Sequence, residues 1–143
     1  MERSAVRKFF QLPMPERALL VRAFFTLVVA RVSTWVLPFR VARKLVKSAP
    51  GAPRPEYNHE RIRWAIQVSE RFVPSATCLP QALTAESLLT RAGHQAQLHL
   101  GVRKNARGRI DAHAWVVCEG AIVIGDLPEG LRHYTHLPPL PND

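Results

Sequence analysis

The sequence predicts an α+β domain in which helices come first and a small antiparallel sheet follows. Apolar residues recur at three- and four-residue spacing between Pro15 and Val36 and again between Glu56 and Val73. From Ala96 the period drops to two, with Ala96, Leu98, Leu100 and Val102 alternating with Gln95, Gln97, His99 and Gly101. Two further β-prone runs, 112–118 and 121–126, flank Glu119-Gly120, which reads as a two-residue hairpin turn with glycine supplying a positive φ. A chain of 143 residues, 47% of them hydrophobic, holds enough apolar surface for one core.

The elements follow in order. Pro15 suits a first helical turn, and Leu19, Ala23, Phe24, Leu27 and Val28 continue the period until Pro38 stops it. Residues 39–47 form a short basic helix in which Arg40, Arg43, Lys44 and Lys47 alternate with Val41, Leu45 and Val46, a face fit for a partner or for lipid. The segment 48–55, with three prolines and a glycine, reads as a linker, which gives an N-terminal helical extension over 1–50 and a core over 51–143. Ile62, Ala65, Ile66, Ser69 and Phe72 mark the next helix, ended by Pro74. A helix from Cys78 to Arg91 is closed by Gly93. After the hairpin, the proline-rich stretch with His133, Tyr134 and His136 has no period and reads as an irregular tail.

Composition narrows the function classes. Twenty Lys and Arg against 11 Asp and Glu give a net charge of +9, which favours acidic partners of some kind without choosing among them. Two cysteines without CxxC spacing make neither a disulfide scaffold nor a metal knuckle, and they suit a reducing, cytoplasmic compartment. Within 18–37 the apolar run is interrupted by Arg22 and Arg31, each opposing membrane insertion by about 2.5–3.5 kcal/mol. The same region lacks the short apolar core and small-residue cleavage site of a secretory signal. No HExxH or Cys/His ligand spacing appears around His94, His99, His133 or His136, so neither a metal nor a cofactor is expected.

Counting outward from the Glu119-Gly120 turn sets His113 opposite Asp126 in the closer class of cross-strand pair, with Cβ atoms about 4.5–5.5 Å apart. A carboxylate there would hold the imidazole tautomer and stabilise its charged form. Cys78, at a helix N-terminus, supplies the nucleophile: helix amides and a nearby imidazolium favour thiolate over thiol, and the same amides suit an oxyanion hole. Cys118 is five residues from His113 on one strand, points to the opposite face and reads as buried packing.

The run TCLPQALTAESLLTRAGHQAQLHLGVRK, followed by DAHAWVVCEGAIVIGD, resembles the transglutaminase-like cysteine peptidases of lasso-peptide biosynthesis. The resemblance rests on Cys78-Leu79, Leu100 to Val102 and His113 to Val116, and covers about Glu56 to Asp126 and, more weakly, the N-terminal helices. It implies a papain-like, transglutaminase-type core with a cysteine-bearing helix packed on an antiparallel sheet that carries histidine and aspartate. It also implies removal of the leader from a ribosomally made precursor peptide, before an ATP-dependent macrolactam synthetase closes the ring. Leader recognition then falls to a separate leader-binding protein, since residues before Glu56 read as helices and linker. Many relatives carry an acidic residue directly after His-Ala-Trp-Val, where this chain has Val117 and Cys118 before Glu119.

On this reading Cys78 is the nucleophile, His113 the general acid and base, and Asp126 the residue that orients His113. Two alternatives differ in chemistry. An acyltransferase or transglutaminase on the same core would pass the thioester to an amine instead of water. A non-catalytic basic module would bind nucleic acid or membrane through Arg40 to Lys47, although no nucleic acid is expected for the peptidase.

Overall fold

The computed structural model describes residues 2–48, 57–73, 77–127 and 130–138. Helix α1 spans Glu2–Gln11, inside the expected N-terminal helical extension but ahead of its apolar period, which starts at Pro15. Helix α2 (Met14–Val36) begins after Pro13 and ends as the chain becomes extended at Leu37, ahead of Pro38. Helix α3 (Phe39–Lys47) follows at once. Helix α4 runs from His59 to Glu70, shorter at both ends than its apolar period: Asn58 caps it, its Oδ1 accepting from Arg61 N at 2.8 Å.

Helix α5 (Cys78–Arg91) ends in a Schellman turn. Gly93 takes φ +86°, Gly93 N donates to Thr90 O, and His94 N donates to Leu89 O. The strands are β1 (Ala96–Lys104), β2 (Ile110–Cys118), β3 (Ala121–Ile124) and β4 (Thr135–His136), in the sheet order β3-β2-β1-β4 with antiparallel neighbours. Glu119 and Gly120, both at positive φ, make the tight β2–β3 turn. The expected irregular tail instead adds β4 to β1, pairing Gly101 with His136 and Val102 with Thr135.

One core joins these parts. Leu19, Ala23 and Ala30 of α2, Ile62 and Ile66 of α4, Leu83 and Leu89 of α5, Leu98 of β1 and Val116 of β2 pack in a single buried cluster. The cysteine-bearing helix α5 therefore lies on the sheet, with α2 and α4 against it. Residues 49–56, which hold the linker and domain boundary read from the sequence, lie outside the described residues. On either side of them the helices share the one core. By length and composition α2 could cross a membrane, but one of its faces is spent on this core.

A buried polar lock fixes α3 to α5. The Glu86 carboxylate, 1% exposed, receives Arg43 Nε at 3.1 Å and Arg43 Nη2 on its other oxygen, with Lys47 Nζ 3.4 Å away. Ser87 Oγ and Arg91 Nη2 donate to the carbonyls of Val46 and Lys47 at the end of α3.

Candidate active site

Cys78 is the first residue of α5, a free and half-buried thiol resting against the core. Thr77 makes no side-chain cap, and Pro80 has no N–H to offer. The amides of Cys78 and Leu79 therefore sit in the first turn without helical acceptors, beside the thiol. This places partial positive charge and hydrogen-bond donors where a thiolate, and later an oxyanion, would be stabilised.

His113 lies on β2, and strand alternation sorts its neighbours. Ala114, Val116 and Cys118 belong to the core under α5, so His113 and Trp115 occupy the other face. Cys118 thus faces away from His113, as its odd spacing requires. It is 1% exposed, and its thiol pKa is raised by burial first and by Glu119 second, which keeps it protonated and inert at neutral pH.

His113 is held from an unexpected side. Its Nε2 donates to Gly125 O at 2.6 Å, while Asp126, exposed, accepts from Leu127 N through Oδ1 at 2.9 Å. No hydrogen bond joins His113, Asp126 and Cys78 among the described residues. The direct cross-strand placement of His113 and Asp126 needs correction. Cys118 pairs with Ala121 and Val117 with Ile122 as counted, but Val116 pairs with Ile124, leaving Val123 as a bulge. One extra residue shifts the register and turns later side chains to the other face.

Just after the bulge stands Gly125, whose φ is +91°. A Cβ there would lie 2.5 Å from Ala114 O and 2.7 Å from Trp115 Cβ, so only glycine lets the chain cross this close to β2. Because a carbonyl can only accept, Gly125 O fixes the hydrogen on Nε2 and leaves Nδ1 as the basic nitrogen of a neutral ring. Sequence reasoning missed this acceptor because it is a backbone oxygen. The glycine following Ile124 was the available signal.

Around His113 the outer sheet face is built of rings. His99 stacks on Trp115 at 5.7 Å and 11°, His136 meets Trp115 edge-on at 4.9 Å, and Tyr134 lies 5.6 Å from His113. Arg103 sits 4.8 Å over the Tyr134 ring. Gly101 makes room for this layer, since a Cβ there would touch Trp115 and Tyr134 at 3.0 Å. Burial lowers the His99 pKa, and nearby His136 lowers it further.

Away from this face, His94, Cys118 and Glu119 bring donor atoms within 4.8 Å of one another. His94 Nε2 donates to Tyr57 O at 2.7 Å, and its Nδ1 faces Glu119 Oε1 at 3.4 Å, which ties the end of α5 to the hairpin tip. Two clefts also lie elsewhere, one beside Trp64 and Arg61 and one of about 810 Å³ beside Arg91 and Glu119. Neither is lined by Cys78, His113 or Asp126.

A family model described as the transglutaminase-like superfamily matches residues 23–138. The chain belongs to the transglutaminase-like superfamily. Comparison with curated proteins and with solved structures gave no match. The family match begins inside α2 and runs through β4, so the transglutaminase-like unit includes helices that precede the expected linker. A mixed α+β architecture with the Cys78 helix packed on the sheet is consistent with that core, and chemistry in the superfamily is generally cysteine-based.

Proposed function

We propose that this transglutaminase-like protein is a cysteine peptidase that removes the leader from a ribosomally made lasso-peptide precursor in the cytoplasm. The observation that carries the reading is Cys78: a free, half-buried thiol as first residue of a helix packed on the histidine-bearing sheet, in a superfamily of cysteine chemistry. The HAWV run at 113–116 and its resemblance to lasso leader peptidases supply the finer identity.

In this mechanism Cys78 passes its thiol proton to His113 Nδ1, and the thiolate attacks the scissile carbonyl, forming a C–S bond while the carbonyl electron pair moves to oxygen and amides of the first turn of α5 receive the oxyanion. Collapse breaks the C–N bond, and the leaving amine takes a proton from His113, whose ring in the substrate complex turns from the outer sheet face toward the Cys78 end of α5. Water, deprotonated by His113, then displaces Cys78 and releases the leader acid. Gly125 O supports the proton work by fixing the ring tautomer. Asp126, bonded to Leu127 N in this structure, is the proposed orienting residue: in the substrate complex its carboxylate takes the Nε2 hydrogen over from Gly125 O, which leaves Nδ1 free for the proton transfers. A separate leader-binding protein presents the precursor, and an ATP-dependent macrolactam synthetase uses the amine that cleavage exposes.

The test is the mass of the products formed from a candidate precursor in the presence of its leader-binding partner. A free leader acid carrying one added water supports the peptidase. Leader joined to an added amine assigns the same thioester to acyl transfer, and an intact precursor contradicts both.

A further inference from the structure

Helix α2 is apolar on two opposite sides. Leu19, Ala23, Leu27 and Ala30 are sealed on one of them. The other carries Met14, Val21, Phe25, Val32, Trp35 and Val36. At about 100° per residue, these six fall within roughly a third of the helix circumference, diametrically across from the buried set. Met14 is 70% exposed, Phe25 62% and Trp35 79%. The stripe runs the length of the helix, about 33 Å at 1.5 Å per residue. Exposed apolar surface this continuous marks an interaction face, since scattered single residues would not line up.

Charge identifies the occupant. On the same wheel Arg17 and Arg31 border the stripe on one flank and Arg22 on the other. The Arg31 guanidinium lies 5.7 Å over the Trp35 ring, a cation and an indole together at the edge of an apolar strip. Helix α1, ahead of α2, repeats the pattern: Val6 and Phe10 are exposed beside exposed Arg3, Arg7 and Lys8. A second copy of the chain would bring two arginine-flanked stripes of a +9 protein together, like charge against like. An anionic bilayer surface supplies both what the stripe lacks and what its rim attracts: acyl chains for the apolar side chains, and acidic headgroups for the arginines. Because the opposite face of α2 holds α4 and α5, the helix lies in the plane of the interface and does not cross it.

We infer that α1 and the outer face of α2 form a lipid-docking surface that holds this protein on anionic membranes. The site chemistry above does not enter this inference, and either stands without the other. The experiment floats the full-length protein with vesicles of phosphatidylglycerol and phosphatidylcholine, and with vesicles of phosphatidylcholine alone. Wild type should bind the mixed vesicles at least about tenfold more tightly than the neutral ones. Phe25→Gln/Trp35→Gln, at two exposed positions, should lose at least about tenfold in binding. Arg3→Gln/Arg7→Gln/Lys8→Gln, which leaves the stripe intact, should lose binding to mixed vesicles alone. Failure of wild type to float, or flotation of both variants like wild type, overturns the inference. So does a wild-type dimer that Phe25→Gln/Trp35→Gln turns into monomers, since the stripe then belongs to a second copy.

Discussion

Replacing Gly125 with alanine probes the most demanding backbone position near the site. Two effects add. Its φ of +91° lies where L-residues are strained, at about 1–2 kcal/mol. The new methyl carbon would also stand 2.5 Å from Ala114 O and 2.8 Å from Trp115 Cα, both backbone atoms that cannot rotate away. Forcing extra volume into a packed site costs about 1–3 kcal/mol more, so Gly125→Ala should lose about 2–5 kcal/mol in all. Gly93→Ala is the control: it has φ +86° but open space around its Cβ, and should lose only about 1 kcal/mol. Urea unfolding of the two variants reads the difference from their midpoints. The methyl also pushes Gly125 O off His113 Nε2, so turnover should fall in Gly125→Ala even where the protein remains folded. If Gly125→Ala unfolds no earlier than Gly93→Ala, the close crossing of β2 is refuted.

Three further outcomes follow from the same contacts. Arg43→Ala strands the buried Glu86 carboxylate beside Lys47 alone and should destabilise by about 3–5 kcal/mol, whereas Arg43→Met/Glu86→Leu should regain most of it in a denaturant series. Iodoacetamide should alkylate Cys78 in the folded protein and leave Cys118 unmodified until denaturant is added, read by peptide mass mapping. For His99 the folded ring titrates below its ordinary value of about 6.5, so between the two values the unfolded chain binds more protons. Its contribution to stability is complete above about pH 6.5 and is lost as pH falls from there through the lower value of the folded ring. His99→Phe should flatten this part of a urea-midpoint profile between pH 7.5 and 5.5, and an unchanged slope contradicts the assignment.

Much of the fold was legible because local signals agreed. Pro15 and Pro38 bracket α2, Gly93 ends α5, and the alternation from Ala96 to Val102 defines β1. The opposed directions of His113 and Cys118 also follow from their odd spacing alone. Helix α1 was legible only as part of a helical extension, without its own bounds: its ten residues mix charges with Val6, Phe9 and Phe10. Strand β4 is two residues long and exists through its partners on β1, which no window of sequence contains. The bulge at Val123 escaped for a related reason. The register shift beyond Val117 comes with a close approach of Gly125 to the backbone of Ala114 and Trp115, a contact between residues distant in sequence. The site residues were therefore found by type and by strand, while the group that holds His113 in this structure is a carbonyl no side-chain pattern reveals.

Cys78 is the proposed nucleophile of leader removal. Wild type, Cys78→Ala and Cys118→Ala should be incubated in parallel with the precursor and its leader-binding partner, and cleavage followed by mass. Wild type and Cys118→Ala should release the leader while Cys78→Ala releases none. Leader release by Cys78→Ala at the wild-type rate would contradict the account.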